Sequence, residues 1–545
     1  MTSAIVRSLL LTTLASGLTL KAQEVLWNIS QPSAGPFWDM LVVIGDRDGD
    51  TYDDFIVPVA VPISSGGSAT TPELWFFSGQ DGHVLGKGQR SFGYVAAAGD
   101  WDRDGCVDYV LTVVGGQLPL CWPYPCIRVE VRSGRTSALL MSHDVYPHPD
   151  FGHILRGNID LNGDGLPDVV AGTNYAIGPG NIIGSVVIGI ANDGTELFSA
   201  WNAPGEVYAP GIDKFVDWNG DGRQDFLLGV YEPTGRGAVD IRSGLDGSVL
   251  QRVYGVPPIL FAHGATAAMI GDQDGDGLPD IVSGDSAIGS PGVLEVLSSA
   301  TGAQIHRWQV NTQGGDDFGW PDVVCMDVDR DGIDDLIANS RAQQNRGTYM
   351  FSGRDGSVIQ HIPATNTWGT VGRVQAMPPR AGELFRRFVA RGAVTLTTGA
   401  TFMVSCAPGG VAGSGPGSTG SLARAPRIGV RQFDPTGFRI TLSNAEPGAP
   451  SLLVIGFAQP PVPVIDMQLL GFLGCTLWPA PDAYAFSLAG SNGLQTGYSA
   501  HDFGLDLVSS PLPGPAWTVF AQWVTLGAGP TWPGGVSEAV RMYVR

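Results

Sequence analysis

The chain has 545 residues, of which 43% are hydrophobic and only 15% charged, with 77 glycines and 39 prolines. That composition excludes a disordered polyelectrolyte and a long-helix architecture, and favours many short strands joined by tight turns around more than one core. The formal charge of −21 repels phosphate backbones and anionic bilayers, so neither nucleic acid nor a membrane surface is an expected partner.

The first stretch, "MTSAIVRSLLLTTLASGLTLKAQ", places Arg7 before an apolar run from Ser8 to Leu20 and the small residue Ala22 where a signal peptidase would cut. Residues 1–22 read as a signal peptide, the run being short for a bilayer span of about 20 residues, with an uncleaved anchor as the alternative. No later segment holds 18 uninterrupted apolar residues, so no transmembrane segment is expected, and the location read from the sequence is secreted, extracellular or at the cell surface. Next comes "EVLWNIS", strand-like and with no earlier partner.

An acidic spelling then recurs six times: "DRDGDTYDD", "DWDRDGCVD", "DLNGDGLPD", "DWNGDGRQD", "DQDGDGLPD" and "DVDRDGIDD", with starts 54, 60, 57, 55 and 55 residues apart. A fixed period of that size signals repeated supersecondary units. Positions 1, 3, 5 and 9 are Asp46, Asp48, Asp50 and Asp54; Asp100, Asp102, Asp104 and Asp108; Asp160, Asn162, Asp164 and Asp168; Asp217, Asn219, Asp221 and Asp225; Asp272, Asp274, Asp276 and Asp280; and Asp327, Asp329, Asp331 and Asp335. Alternate carboxylates in a tight loop repel one another unless a cation lies among them, and glycine at position 4, 6 or both permits the bend that makes them converge. These hard oxygen donors, with the carbonyl of position 7, fit Ca²⁺ better than Mg²⁺, and no His or Cys stands at a ligand position to suit Zn²⁺. About six structural calcium ions are therefore expected. An EF-hand needs a bidentate Glu at position 12 and flanking helices; position 12 here is Val57, Leu111, Ala171, Leu228, Ser283 or Ala338, and the flanks ("DMLVVIGD", "DFIVPVA") are strand-like.

A hairpin follows each loop, as in "ELWFFSGQDGHVL" and "AVDIRSGLDGSVL". Four strands per period of about 55 residues is the content of a propeller blade. With the "FG" element that precedes several loops ("SFGYVAAAGDWDRDGCVDYVL", "DFGHILRGNIDLNGDGLPDVVAG", "DFGWPDVVCMDVDRDGIDDLIA"), these residues resemble the FG-GAP or VCBS repeats of the integrin α type. The fourth copy, "DKFVDWNGDGRQDFLLG", lacks the FG pair. The resemblance covers roughly residues 24–406 and implies an exported, all-β, calcium-binding β-propeller. A seventh unit without an acidic loop is legible in "TWGTVGRVQAMPP", "RRFVARGAV" and "ATFMVSCAPG"; "EVLWNIS" can supply its fourth strand and close a seven-bladed ring, six blades being the alternative.

Loops away from the acidic ones are rich in aromatics, and Trp122, Tyr124, Tyr146, His148, Tyr175, Trp201 and Tyr208 are candidates for a ligand platform, with packing beneath their own loops as the competing reading. Of the six cysteines, Cys121 and Cys126 flank "WPYP" and are expected to pair; Cys106 and Cys325 lie within repeats and are expected to be free thiols; a Cys406–Cys475 bridge is a guess.

Residues 407–427, "APGGVAGSGPGSTGSLARAPR", read as a linker after a propeller spanning 23–406. From 428 to 545 short apolar runs alternate with Pro and Gly turns, giving a C-terminal β-sandwich-like domain; "LLGFLGCTLWPAP" and "SEAVRMYV" resemble a C-terminal module of secreted, repeat-bearing bacterial proteins. No HExxH, GxSxG, P-loop or dinucleotide motif occurs, and no catalytic residue is assigned. The expectation is a calcium-stabilised binding or adhesion module for a protein or carbohydrate ligand; the alternative is a secreted carbohydrate-active enzyme, polysaccharide lyase-like, on the same scaffold.

Overall fold

In a computed structural model the chain is described at residues 25–32, 40–62, 70–114 except 91, 127–145, 151–256 except 174–176, 179–180 and 183–184, 263–285, 292–309, 318–319, 323–340, 346–363, 370–379, 386–405 except 396–397, 411–415, and the strands with their nearest neighbours from 427 to 544. The signal-peptide reading, Cys121–Cys126 and Cys406–Cys475 lie outside these residues. Cys106 and Cys325 are free thiols, Cys106 buried.

Every element of regular structure among the described residues is a strand. Alternating and continuous apolar runs of four to nine residues, separated by Gly-rich turns, leave the backbone no other way to pair its polar groups. Six consecutive four-stranded antiparallel meanders follow the six sequence repeats. Blade one comprises Val42–Gly45, Asp54–Pro62, Thr70–Phe77 and Val84–Arg90. In each, the acidic loop joins the first strand to the second; the last aspartate opens the second strand in five blades and immediately precedes it, as Asp225 before Phe226, in blade four. The first strands of successive blades neighbour one another around an axis. This is a β-propeller.

A seventh sheet closes the ring. Its strands Thr370–Met377, Arg387–Thr395 and Thr398–Ser405 take their fourth partner from Val25–Pro32, antiparallel, with Val25 opposite Val404 and Pro32 opposite Thr398. The leftover strand seen in the sequence is thus the clasp, and it removes an otherwise open edge. The seam is fastened from inside as well. Arg391, fully buried in blade seven, donates to the carbonyls of Met40 (3.2 Å) and Pro58 (2.8 Å), and Gln375 Oε1 accepts from Val43 N–H at 3.1 Å. Met377 and Val389 of blade seven share an apolar cluster with Leu41, Val43, Phe55, Val57, Val59 and Phe77 of blade one.

Beyond the propeller, two sheets face each other, one containing Arg427–Asp434, Gly437–Ala445 and Gly497–Phe503, the other Pro450–Gly456, Trp517–Thr525 and Ala539–Val544. Ile428, Val430, Ile440 and Leu442 meet Leu453, Val519, Ala521, Trp523 and Met542 between them, and Trp523 Nε1–H bonds to Thr441 O at 3.0 Å across the layer. That is a β-sandwich. Within the stretch read as linker, Val411–Gly415 forms a strand paired with Ala539–Val544, so the second domain's sheet begins there. The sandwich packs on blade six: Ser443 Oγ–H donates to Arg330 O at 2.9 Å, and a Cβ on Gly429 would lie 2.1 Å from Asp329 O, so only glycine admits this approach.

Candidate metal loops

The six acidic loops share one hydrogen-bond scheme. The first aspartate accepts at Oδ2 from the N–H of position 6, residue 3 accepts at Oδ1 from position 5, and residue 5 accepts at Oδ1 from position 7, in every copy. Each turn winds its backbone around carboxylate oxygens, which needs left-handed residues at positions 4 and 6. All twelve have positive φ: glycine at nine, and Thr51 (73°), Arg103 (58°) and Arg330 (62°) elsewhere.

Position 9 does a second job that the spacing alone did not reveal. In all six blades its Oδ2 accepts from the N–H of loop position 2 and its Oδ1 from an N–H in the hairpin between strands three and four: Gly79 for Asp54, Gly134 for Asp108, Asn192 for Asp168, Gly244 for Asp225, Ser299 for Asp280 and Gly353 for Asp335. These six aspartates have no exposed surface. Each staples loop to hairpin. Hairpin glycine lets the backbones touch: a Cβ on Gly244 would lie 2.1 Å from Gln224 O.

Carboxylate oxygens converge within 4.8 Å in four loops: Asp46, Asp48 and Asp50; Asp100, Asp102 and Asp108; Asp272, Asp274 and Asp276; Asp327, Asp329 and Asp335. The other two carry Asn162 or Asn219 at position 3, which contributes an amide oxygen in place of a third carboxylate. Blades two and six differ from one and five because an arginine on the hairpin pairs with position 5. Arg135 Nε lies 3.2 Å from Asp104 Oδ2 and Arg354 Nε 2.6 Å from Asp331 Oδ2, and in those two loops the ninth aspartate joins the cluster in place of position 5.

Burial dominates the electrostatics. It raises the carboxyls of Asp54, Asp168 and Asp280 to about 7 and that of Asp108 to about 6, against the pull of their backbone N–H donors, and it raises Asp225 as well. Burial, with the Asp331 charge second, takes Asp327 to about 7, and burial with the Asp329, Asp331 and Asp327 charges takes Asp335 well above the carboxylate range. The donor set is all oxygen and dense in charge, open to solvent at positions 1 to 5 in most loops and closed at position 9, which suits a hard divalent cation. Asp327 Oδ1 adds a direct sign of fit, being buried with no hydrogen-bond partner.

Of the aromatic candidates, Trp201 is exposed on the outer strand Glu196–Trp201 (56%). Tyr208 is not: it lies on the inner strand Val207–Lys214, fully buried, in a cluster with Ile154, Phe198 and Phe226 and under the Arg242 guanidinium at 4.8 Å. It is removed from the platform. Trp122, Tyr124, Tyr146, His148 and Tyr175 lie outside the described residues.

One hydrogen-bonded relay has the composition of a nucleophile, base and acid. Ser283 Oγ is 3.0 Å from His263 Nδ1, and His263 Nε2 is 3.1 Å from Glu295 Oε2. Ser283 and Glu295 have no exposed surface, and the Gly264 N–H donates to the serine oxygen. No substrate can reach that oxygen, so the relay pins strands within blade five.

No protein-family model and no curated protein matches the sequence. Among solved structures, one chain from "Crystal Structure of Mitotic Checkpoint Complex" aligns over 71% of this chain and 96% of its own, at 11% identity and a TM-score of 0.39. A likeness that distant says nothing about function.

Proposed function

We propose that this chain is an exported β-propeller of the FG-GAP type, stabilised by calcium in its six acidic loops, and that it acts as a binding or adhesion module for a protein or carbohydrate ligand. The observation that carries the calcium reading is the convergence of carboxylates within the loops, repeated with one hydrogen-bond scheme. Position 1, 3 and 5 side chains, the position 7 carbonyl and the ninth aspartate would hold each ion, which supplies charge neutralisation and fixes the turn. The binding role is supported by scaffold and surface: a rigid ring leaves the loops opposite the acidic face free to vary, and propellers use such faces for recognition. Catalysis has no comparable support, since the one nucleophile–base–acid relay described is sealed.

The test is metal counting and thermal unfolding of the mature protein with and without chelator, followed by a glycan array and a screen on acidic polysaccharides. About six calcium ions and a large chelator-induced fall in melting temperature are expected, with binding and no product. Absence of bound calcium would overturn the metal reading; new reducing or unsaturated ends would overturn the binding reading in favour of the enzyme.

A further inference from the structure

The axis of the ring encloses a cavity of about 630 Å³ lined by the inner strands of all seven blades, within the size range of small-molecule sites. Most of its wall is apolar or small: Met40, Val95, Ala96, Ala267, Ala268 and Val324 among others. Its charged residues are Arg156, Lys214, Arg373 and a single acid, Asp213. In a chain with 52 acidic and 31 basic residues, three cations to one anion at the axis reverses the balance of the whole.

The single acid is already engaged. Asp213 Oδ1 lies 2.5 Å from the Arg156 guanidinium, and its Oδ2 accepts from Met269 N–H at 3.0 Å. Arg156 and Asp213 each stand four residues before the first aspartate of their loop, hence at one level on neighbouring inner strands. Arg156 keeps a buried Nε–H with no partner. Lys214, next in the chain, has no carboxylate ion-paired to it among the described residues; burial first, and the Arg156 charge second, lower its ammonium pKa. Like charges held in a partly desolvated cavity are relieved by an anion placed between them.

We propose that the axial cavity binds a small oxyanion-bearing ligand, a carboxylate or phosphate compound, with Lys214 and the free edge of Arg156 as its anchors. The site is independent of the acidic loops and of the outer face. Two probes that bind calcium weakly distinguish the sources: sulfate stands for a phosphoryl group and succinate for a dicarboxylate.

The chain has only three lysines, Lys21, Lys87 and Lys214, which makes the test residue-specific. Isothermal titration of the calcium-loaded protein at low ionic strength is expected to show one site per chain for sulfate, succinate or both. Lys214→Met is expected to weaken it at least tenfold, and Lys87→Met to leave it unchanged. In the wild-type protein, where folding of the variant is not at issue, the same anion is expected to slow acetylation of Lys214 at least threefold relative to Lys87, read by peptide mass spectrometry. No heat with either probe, equal binding by Lys214→Met, or an acetylation rate at Lys214 that the anions do not change would each overturn the proposal. A Lys214 that does not react at all would place its amine outside the accessible cavity and overturn it too.

Discussion

Asp225→Ala isolates the staple function of the ninth aspartate from any role in holding a cation, provided that it is measured in metal-free protein. The wild-type carboxylate accepts from Trp218 N–H at 2.8 Å and from Gly244 N–H at 2.9 Å, and it is fully buried. Alanine leaves two N–H groups without an acceptor in a space that a methyl does not fill, and each such loss costs about 1–3 kcal/mol. Against this stands the desolvation of the carboxylate itself, which raises its pKa and disappears with it, so the expected net loss falls toward the low end of the sum, about 2–3 kcal/mol. Asp225→Asn retains one acceptor and is expected to lose about half as much. Urea denaturation after exhaustive chelation reads both variants against wild type. A loss below about 0.5 kcal/mol for the alanine variant would be smaller than a single orphaned amide allows and would refute the staple.

Three further expectations follow from other features. Because burial raises Asp54, Asp108, Asp168 and Asp280 from 3.8 to about 6 or 7, the folded chain binds more protons than the unfolded between about pH 4 and 7, so metal-free protein should lose stability as pH rises through that window; greater stability of metal-free protein at pH 8 than at pH 5 in urea titrations would contradict this. Arg103 holds φ at 58°, where a side chain costs about 1–2 kcal/mol, so Arg103→Gly should stabilise the protein by roughly 0.5–1 kcal/mol once the greater freedom of unfolded glycine is counted; a lower urea midpoint would sink the strain argument. Arg391→Met deprives two carbonyls of a buried cation across the blade-seven seam and should cost about 2 kcal/mol, the loss being tempered by removal of a buried charge; an unchanged melting temperature would mean that the seam is held by its apolar cluster and clasp strand alone.

The features legible in the sequence were those written at short range. Aspartates two residues apart and glycines between them encode the loop directly, and the twelve left-handed positions fall where that spelling places them, including the three that are not glycine. The clasp was legible by elimination, since "EVLWNIS" had a strand's pattern and the seventh unit lacked one. What stayed hidden depends on contacts across the fold. The staples join residues 18 to 26 apart, and nothing in a nine-residue motif marks the ninth carboxylate as an acceptor for a distant hairpin. Arg135 and Arg354 sit in hairpin turns with no local pattern to mark them as partners of position 5. Tyr208 was misplaced because "WNAPGEVYAP" has the composition of a loop, yet its last residues are the start of an inner strand. The axial cations carry no local pattern at all: Arg156, Lys214 and Arg373 line one cavity because blades three, four and seven stand around one axis.

Closure by the Val25–Pro32 strand also has a consequence in time. Val25 faces Val404, so this strand, once it has left the ribosome, waits for a partner 379 residues behind it, roughly 20–75 s at about 5–20 residues per second. The first six blades can pair internally as they emerge, whereas the clasp can engage only after the whole ring has been made, which makes it the longest-range sheet contact among the described residues and a late event in assembly. A permuted chain in which the segment 25–32 follows residue 405 would turn that contact into a local hairpin: the finished ring would be the same, while its sealing would no longer have to wait for the two distant ends of the propeller to find each other.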